Sequence, residues 1–319
     1  MSKAKTDRLI DLNIYKIFFT SIVILTFLSN ELSEALENKI LIKLNNEIIT
    51  TVDISNEINY LKVFNENINE LENEKILNIA KNSIIRDRIK KIEILKFTEK
   101  LSIDKNYLDL MIEAAYLKIG LNSIDQFKNH LKYHDINIKI VEQKLILDAY
   151  WKKIIYQKYK NKIKIDKEKI INEISSKKNK FYNISEIIFN VEKNEDLEKK
   201  YNLIKQSINQ DGFENTSLIY SISENAEDGG SLGWVNQSAL STKIENELSL
   251  LKIGEFTSPI TIPGGFLILK INDLKEEQID INNNKEIEKV IEIKMSEQLN
   301  QFSNIYINKI KKNIIINEL

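Results

Sequence analysis

Few side chains in this sequence are equipped for chemistry, and where they fall narrows the options. The 319 residues include two histidines, His130 and His134, and no cysteine. Two histidines four apart share one face of a helix and can begin a metal site. No third ligand accompanies them, and Asp135 falls on another face, so the expectation is two surface histidines and no metal. The lack of cysteine excludes disulfides, thiol nucleophiles, Cys-zinc sites and lipid attachment at cysteine. An oxidising compartment stays open, because a core of this size does not need disulfides. No P-loop is present to bind ATP, and no cofactor is expected. The 46 Lys and Arg balance 47 Asp and Glu, which leaves no basic surplus for nucleic acid.

Residue types with a specific spacing are concentrated between 181 and 275. There the chain reads FENTSLIYSISENAEDGGSLGWV from Phe213 and ENELSLLKIGEFTSPITIPGGFLILKIND from Glu245. Gly229 and Gly230 permit a backbone path that a Cβ would block. Gly265 suits a strand that crosses closely packed backbone, and Trp234 reads as a large core anchor. Asn183–Asn190 reads as a strand. Asn194 caps the following helix, whose buried face is Leu197, Tyr201, Ile204 and Ile208 and which Gly212 stops. The closing strands run together, which makes this segment α+β.

Phe213, Ser221, Gly229-Gly230, Leu232-Gly233-Trp234, Leu248, Gly254-Glu255, Pro259, Gly265-Phe266 and Ile268 resemble the marker residues of the parvulin family. The resemblance implies a prolyl-isomerase fold. Rotation about an X–Pro bond meets a barrier of about 20 kcal/mol and breaks no bond. Such a site needs an apolar slot for the proline ring and polar groups that favour the twisted amide over the planar one. In that family the polar groups are a histidine on the first strand, a Cys or Asp before the glycine turn and a histidine on the last strand. The matching positions here are Glu186, Ser223 and Leu267, and neither histidine of the chain lies in the segment. The resemblance places the slot at Leu240, Ile244 and Phe266. It therefore implies an apolar groove with weak or lost isomerase activity.

The flanking elements complete the reading. Basic residues, the apolar run Ile17–Ser29 and Ser33-Glu34-Ala35 make residues 1–35 a secretory signal peptide. The apolar run is shorter than the roughly 20 residues that span a bilayer, so cleavage and a periplasmic, non-inserted mature chain are expected. Ile40–Leu44 and Glu47–Thr50 form a hairpin about Asn45-Asn46, with Thr51 as cap of the next helix. Helical periodicity runs from Glu72 to Ile174, with breaks at Ser102, a candidate cap, and at Gly120, after which Asn122 or Ser123 caps the next helix. KEEQIDINNNKE is a linker. A helix over about 285–312 follows, with Ile287, Ile291, Met295, Leu299, Phe302, Tyr306 and Ile310 as its apolar stripe, and then a short last strand.

The hairpin LNNEIITTVDI, the succession of helices and the returning C-terminal helix resemble the SurA and PpiD families. The expected fold class is α+β multidomain. A mainly helical chaperone module spans 36–177, an inserted parvulin-like domain spans 178–276, and 277–319 is a linker with a helix and strand that pack back on the helical module. The resemblance implies an ATP-independent periplasmic chaperone, monomeric, that binds unfolded outer-membrane or exported proteins. The alternative is an active prolyl cis-trans isomerase of the SurA or PpiD type, anchored to the inner membrane in the PpiD-like case.

Overall fold

A computed structural model describes residues 38–175, 179–192, 194–277 and 284–319. The expected signal peptide and residues 278–283 of the linker lie outside the described residues. The α+β organisation read from the sequence is observed.

The hairpin forms as its alternation demands. Strands β1 (Ile40–Leu44) and β2 (Glu47–Thr50) pair antiparallel, and Ile42, Leu44 and Ile49 point inward. Asn45 turns the chain with φ 48°, a left-handed conformation that Asn tolerates. The last strand, β7 (Ile316–Glu318), adds to the other edge of β1 and gives the order β2-β1-β7.

Helix α1 (Thr51–Phe64) is capped by Thr50, one residue before the expected Thr51. The Asp53 amide donates to Thr50 Oγ1 at 3.2 Å and the Thr50 amide donates to Asp53 Oδ2 at 2.8 Å. This reciprocal pair needs an extended residue at the cap, and Thr50, the end of the strand, supplies it. Helices α2 (Asn73–Ile94), α3 (Lys105–Lys118), α4 (Ile124–Tyr133), α5 (Ile138–Tyr159) and α6 (Lys167–Ser175) follow. Asp104, not Ser102, caps α3 through the amides of Asn106 and Tyr107. Its charge also suits the positive end of the helix, while Ser102 is tied to Tyr150 through its backbone. Ser123 caps α4.

The second sheet has the order β4-β3-β6-β5, antiparallel throughout, from β3 (Asn179–Phe189), β4 (Ser231–Asn236), β5 (Ile260–Ile262) and β6 (Gly265–Glu277). Strand β6 carries Lys275–Glu277 into pairing with β3, so the expected linker begins in a strand. Helix α7 (Leu197–Tyr220) is capped by Asp196 instead of Asn194. Gly212, with φ 82° and ψ 165°, breaks α7, and a second helical piece continues from Phe213. Ile204, Ile208 and Phe213 pack on Ile187, Phe189 and Ile268, which covers one face of the sheet. Leu240, Leu248 and Val235 meet Ile184, Ile188, Leu267 and Leu269 on the other, where α8 (Thr242–Ser249) lies. Trp234 is not a core anchor. It stands on β4 and is more than a third exposed, with Lys275 Nζ 4.6 Å from its ring centre.

Helix α9 (Asn284–Lys311) joins the two cores. Val290 is buried in the cluster of the second sheet, together with Ile170 of α6. Tyr306, Ile307 and Ile310 are buried against α2, α5 and the hairpin. Trp151 of α5, almost wholly buried, stacks on Tyr306 with ring centres 5.8 Å apart, and its Nε1 donates to Ser303 at 2.7 Å. Tyr159 stacks on Phe302 at 4.7 Å. Among the described residues no helix is long and apolar enough to cross a membrane.

Candidate functional site

Alternation along two strands decides which side chains can meet. Successive residues of a strand point to opposite faces. On β3, Ile184, Glu186 and Ile188 face away from α7, and on β6 Leu267 and Leu269 do the same. These residues line one small cavity with Leu240, Ile244, Leu232 and Ile262. The structure thus brings together Glu186, Leu267, Leu240 and Ile244. Phe266 is not with them. It stacks on Phe189 with ring centres 5.7 Å apart, on the α7 face of the sheet. As neighbours on one strand, Phe266 and Leu267 cannot both face the slot.

Glu186 and Ser223 are direct partners. Ser223 Oγ and Asn225 Nδ2, the latter at 3.0 Å, both donate to Glu186 Oε1. The segment that presents Ser223 is fixed by the Ser221 hydroxyl and by the backbone of β3. The amides of Ile188 and Ser223 donate to Ser221 Oγ at 3.0 and 3.2 Å, and the Ile222 amide donates to the Ile188 carbonyl at 2.7 Å. Gly230 is required where it stands: its φ is 77°, and a Cβ there would lie 2.1 Å from the Glu186 carbonyl oxygen. Gly265 is similarly confined, with the Phe189 carbonyl 2.6 Å from its Cβ position. Burial raises the Glu186 carboxyl above its ordinary range, and the hydrogen bonds from Ser223 and Asn225 partly offset this. Asn225 completes the set. It stands two residues beyond Ser223 in the chain.

The same loop is held from outside by α2. Arg86 donates to the carbonyls of Ser223 and, at 3.4 Å, Ser221. Lys90, 4% exposed, reaches Glu224 at 2.7 Å and Asp148 at 3.0 Å. Ser303 of α9 also donates to Glu224, at 2.9 Å. Burial alone would raise the Glu224 carboxyl, but Lys90 and Arg86, with the hydrogen bonds from Lys90 and Ser303, bring it down to about 2. Ser83 contacts both Glu227 and Glu57, at 2.5 and 2.6 Å, and Lys144 reaches Glu57 and Asp87. Here burial wins at Glu57, which is pushed up to about 7 in spite of Lys144. Sequence reasoning missed these residues because their partners are far apart along the chain.

The fourth wall of the slot comes from α9. Glu297, Asn300, Gln301 and Asn304 lie over Leu240, Ile244 and Leu267 and leave a cavity of about 60 Å³. Burial pushes the Glu297 carboxyl up to about 8, the charge of Glu186 adds to this, and Lys294 opposes it.

The two histidines lie elsewhere, half-buried, with ring centres 4.7 Å apart. His130 Nε2 is 3.1 Å from the Val63 carbonyl. Among the described residues no three His, Cys, Asp or Glu are grouped to hold a metal ion. What the slot can offer is an apolar wall and a hydrogen-bonded carboxyl-hydroxyl-amide set, with no imidazole.

Comparison with known proteins finds the same kind of domain in this part of the chain. The family model of the rotamase, or PPIC-type PPIase, domain matches residues 183–273. Chaperone SurA of Pseudomonas putida is 25% identical over 163 residues, which are 47% of this chain and 38% of that protein. Chaperone SurA of Pseudomonas fluorescens is 37% identical over 73 residues, 23% of this chain and 16% of that protein. The chain thus spans well under half the length of these SurA relatives. Foldase protein PrsA of a Geobacillus species is 26% identical over 267 residues, 82% of this chain and 80% of that protein. A solved structure from work on PEB4 and Cj1289, described as SurA-like chaperones of Campylobacter jejuni, gives 19% identity and a TM-score of 0.33 over 88% of this chain and 99% of that one, a score at which the likeness carries no weight. Residues 183–273 thus match the parvulin domain of the PPIC type, and the chain that carries them is similar to SurA and PrsA.

Proposed function

We propose that the protein is an ATP-independent periplasmic chaperone that holds unfolded outer-membrane or exported proteins, and that its parvulin domain has weak or no isomerase activity. The working division is a helical module over 36–177 with the returning 277–319, and the parvulin domain over 178–276. The helical module does the holding in this reading, and the chain works as a monomer after its leader is removed.

One observation carries the second half of the proposal: Glu186 and Ser223, which we read as two of the three polar positions of a parvulin site, satisfy each other, and Leu267, which we read as the third, is apolar. A site that stabilises a twisted amide needs donors aimed at the substrate. Losing one such donor costs roughly 10²–10³ in rate at sites built on this principle. The test is the cis-to-trans rate of a short Leu-Pro peptide, followed by NMR exchange or a protease-coupled assay. The uncatalysed rate, within about twofold, is expected. An acceleration of about 100-fold or more at micromolar protein would reverse the assignment and make the chain a foldase enzyme.

A further inference from the structure

Four polar residues of α9 are set at the spacing of a buried stripe. Glu297, Asn300, Gln301 and Asn304 stand at i, i+3, i+4 and i+7, so they share one helix face, and that face closes the slot lined by Leu240, Ile244 and Leu267. The rest of the helix obeys the usual rule. Val290 before this stretch and Tyr306, Ile307 and Ile310 after it are buried in apolar surroundings. A polar face over an apolar wall is a poor permanent seal, because polar groups taken from water need partners. Asn304 Oδ1 is buried with no hydrogen-bond partner among the described residues. Ser303 fastens the far end of the stretch, accepting from Trp151 Nε1 and donating to Glu224, while its near part is held only at the edge: Lys294 Nζ donates to the Ser238 carbonyl at 2.9 Å, and Gln298 exchanges two hydrogen bonds of 3.0 Å with the backbone of Lys164. A conflict between local chemistry and position, in an otherwise consistent helix, is the mark of a working part.

We infer that the Lys294–Gln301 stretch of α9, and not the anchored half that follows it, is a displaceable lid over the inner part of the parvulin slot, lowered in the resting protein and shifted to admit an apolar, proline-containing segment of a client. This rests on reading the slot as a residual prolyl-peptide groove. The cavity of about 60 Å³ left beneath it is too small for a peptide. Binding is then weakened by the small fraction of molecules in which the lid is open.

The chain has no cysteine, so Leu267→Cys places a single thiol beneath the lid, and Leu240→Cys provides an independent second reporter. Thiol labelling is measured in the full chain and in two further backgrounds. Lys294→Ala with Gln298→Ala removes the latches, and Glu297→Leu replaces a carboxyl over the slot with an apolar side chain. Labelling is expected to quicken at least about fivefold in the first and to slow at least about threefold in the second, given the usual worth of such contacts. A fluorescein-labelled apolar peptide with a central Leu-Pro bond is expected to bind more tightly to the unlatched protein and more weakly to the Glu297→Leu protein. Equal labelling in all three backgrounds, at both reporter positions, overturns the lid. Labelling that shifts as expected while the peptide binds none of the three upholds the lid and overturns the prolyl-groove reading.

Discussion

Glu186, which the parvulin resemblance sets at the position of a histidine, is buried, and its surroundings explain why a carboxyl is stable there. A buried carboxyl needs partners, and Ser223 and Asn225 provide them. Glu297 is less well served, and this gives the lid a pH dependence with a definite sign. Its carboxyl titrates near pH 8 when buried over the slot, against an ordinary 4.5. The closed state therefore holds the extra proton. The closed state has its full stability below about pH 4.5 and loses it as pH rises through 8. The charged groups around Glu297 are Glu186 on β3, Lys294 on α9 itself, Lys243 and Glu245 on α8 and Lys169 on α6. Labelling of Leu267→Cys, normalised to free cysteine at each pH, should rise between pH 6 and 9, and Glu297→Gln should flatten that rise. At this scale the sequence was half legible. Glu186, Ser223 and Leu267 followed from their places in the motif, but Glu297 meets the slot only through the return of a distant helix. Phe266 was misplaced although strand alternation was available to correct it, since Leu267 beside it already claimed the slot face. Trp234 was misplaced because size was allowed to stand for burial.

Among the elements, α2 and the loop after Ser221 form the tightest polar junction. Lys90 is the group to change. Lys90→Ala leaves Glu224 buried with its main counter-charge gone, and losing one partner of a buried pair costs about 3–5 kcal/mol. Replacing both, as Lys90→Met with Glu224→Met, should recover most of that loss, because well-packed apolar pairs substitute for buried ion pairs at little net cost. Denaturant unfolding of the two variants beside the parent checks this. Because Glu224 is held down to about 2 in the folded protein, its contribution is present above pH 4.5 and fades as pH falls towards 2, so the difference between parent and Lys90→Ala should shrink in acid. Helices and strands were legible from periodicity because their buried faces are Ile-rich. Caps were legible only to within two residues: Thr50, Asp104 and Asp196 took over from Thr51, Ser102 and Asn194. In each case a neighbour that can accept from two backbone amides, or form a reciprocal pair, outcompeted the first polar residue in view.

The whole molecule is held by the path of its C-terminal segment. Helix α9 shares Val290 with the parvulin sheet and Tyr306, Ile307 and Ile310 with the helical core, and β7 then closes the hairpin sheet against β1. The return of this helix was legible from its apolar stripe and from the chain's likeness to SurA. Its passage over the parvulin slot was not, because the residues concerned are polar and read as a solvent face. The most direct test of the holding function is light scattering of an unfolded outer-membrane barrel protein diluted from denaturant in the presence of an equimolar amount of this chain, without ATP. Suppressed scattering, with the barrel protein still unfolded and bound, is the predicted result. Aggregation at the rate seen without the chain would contradict the account.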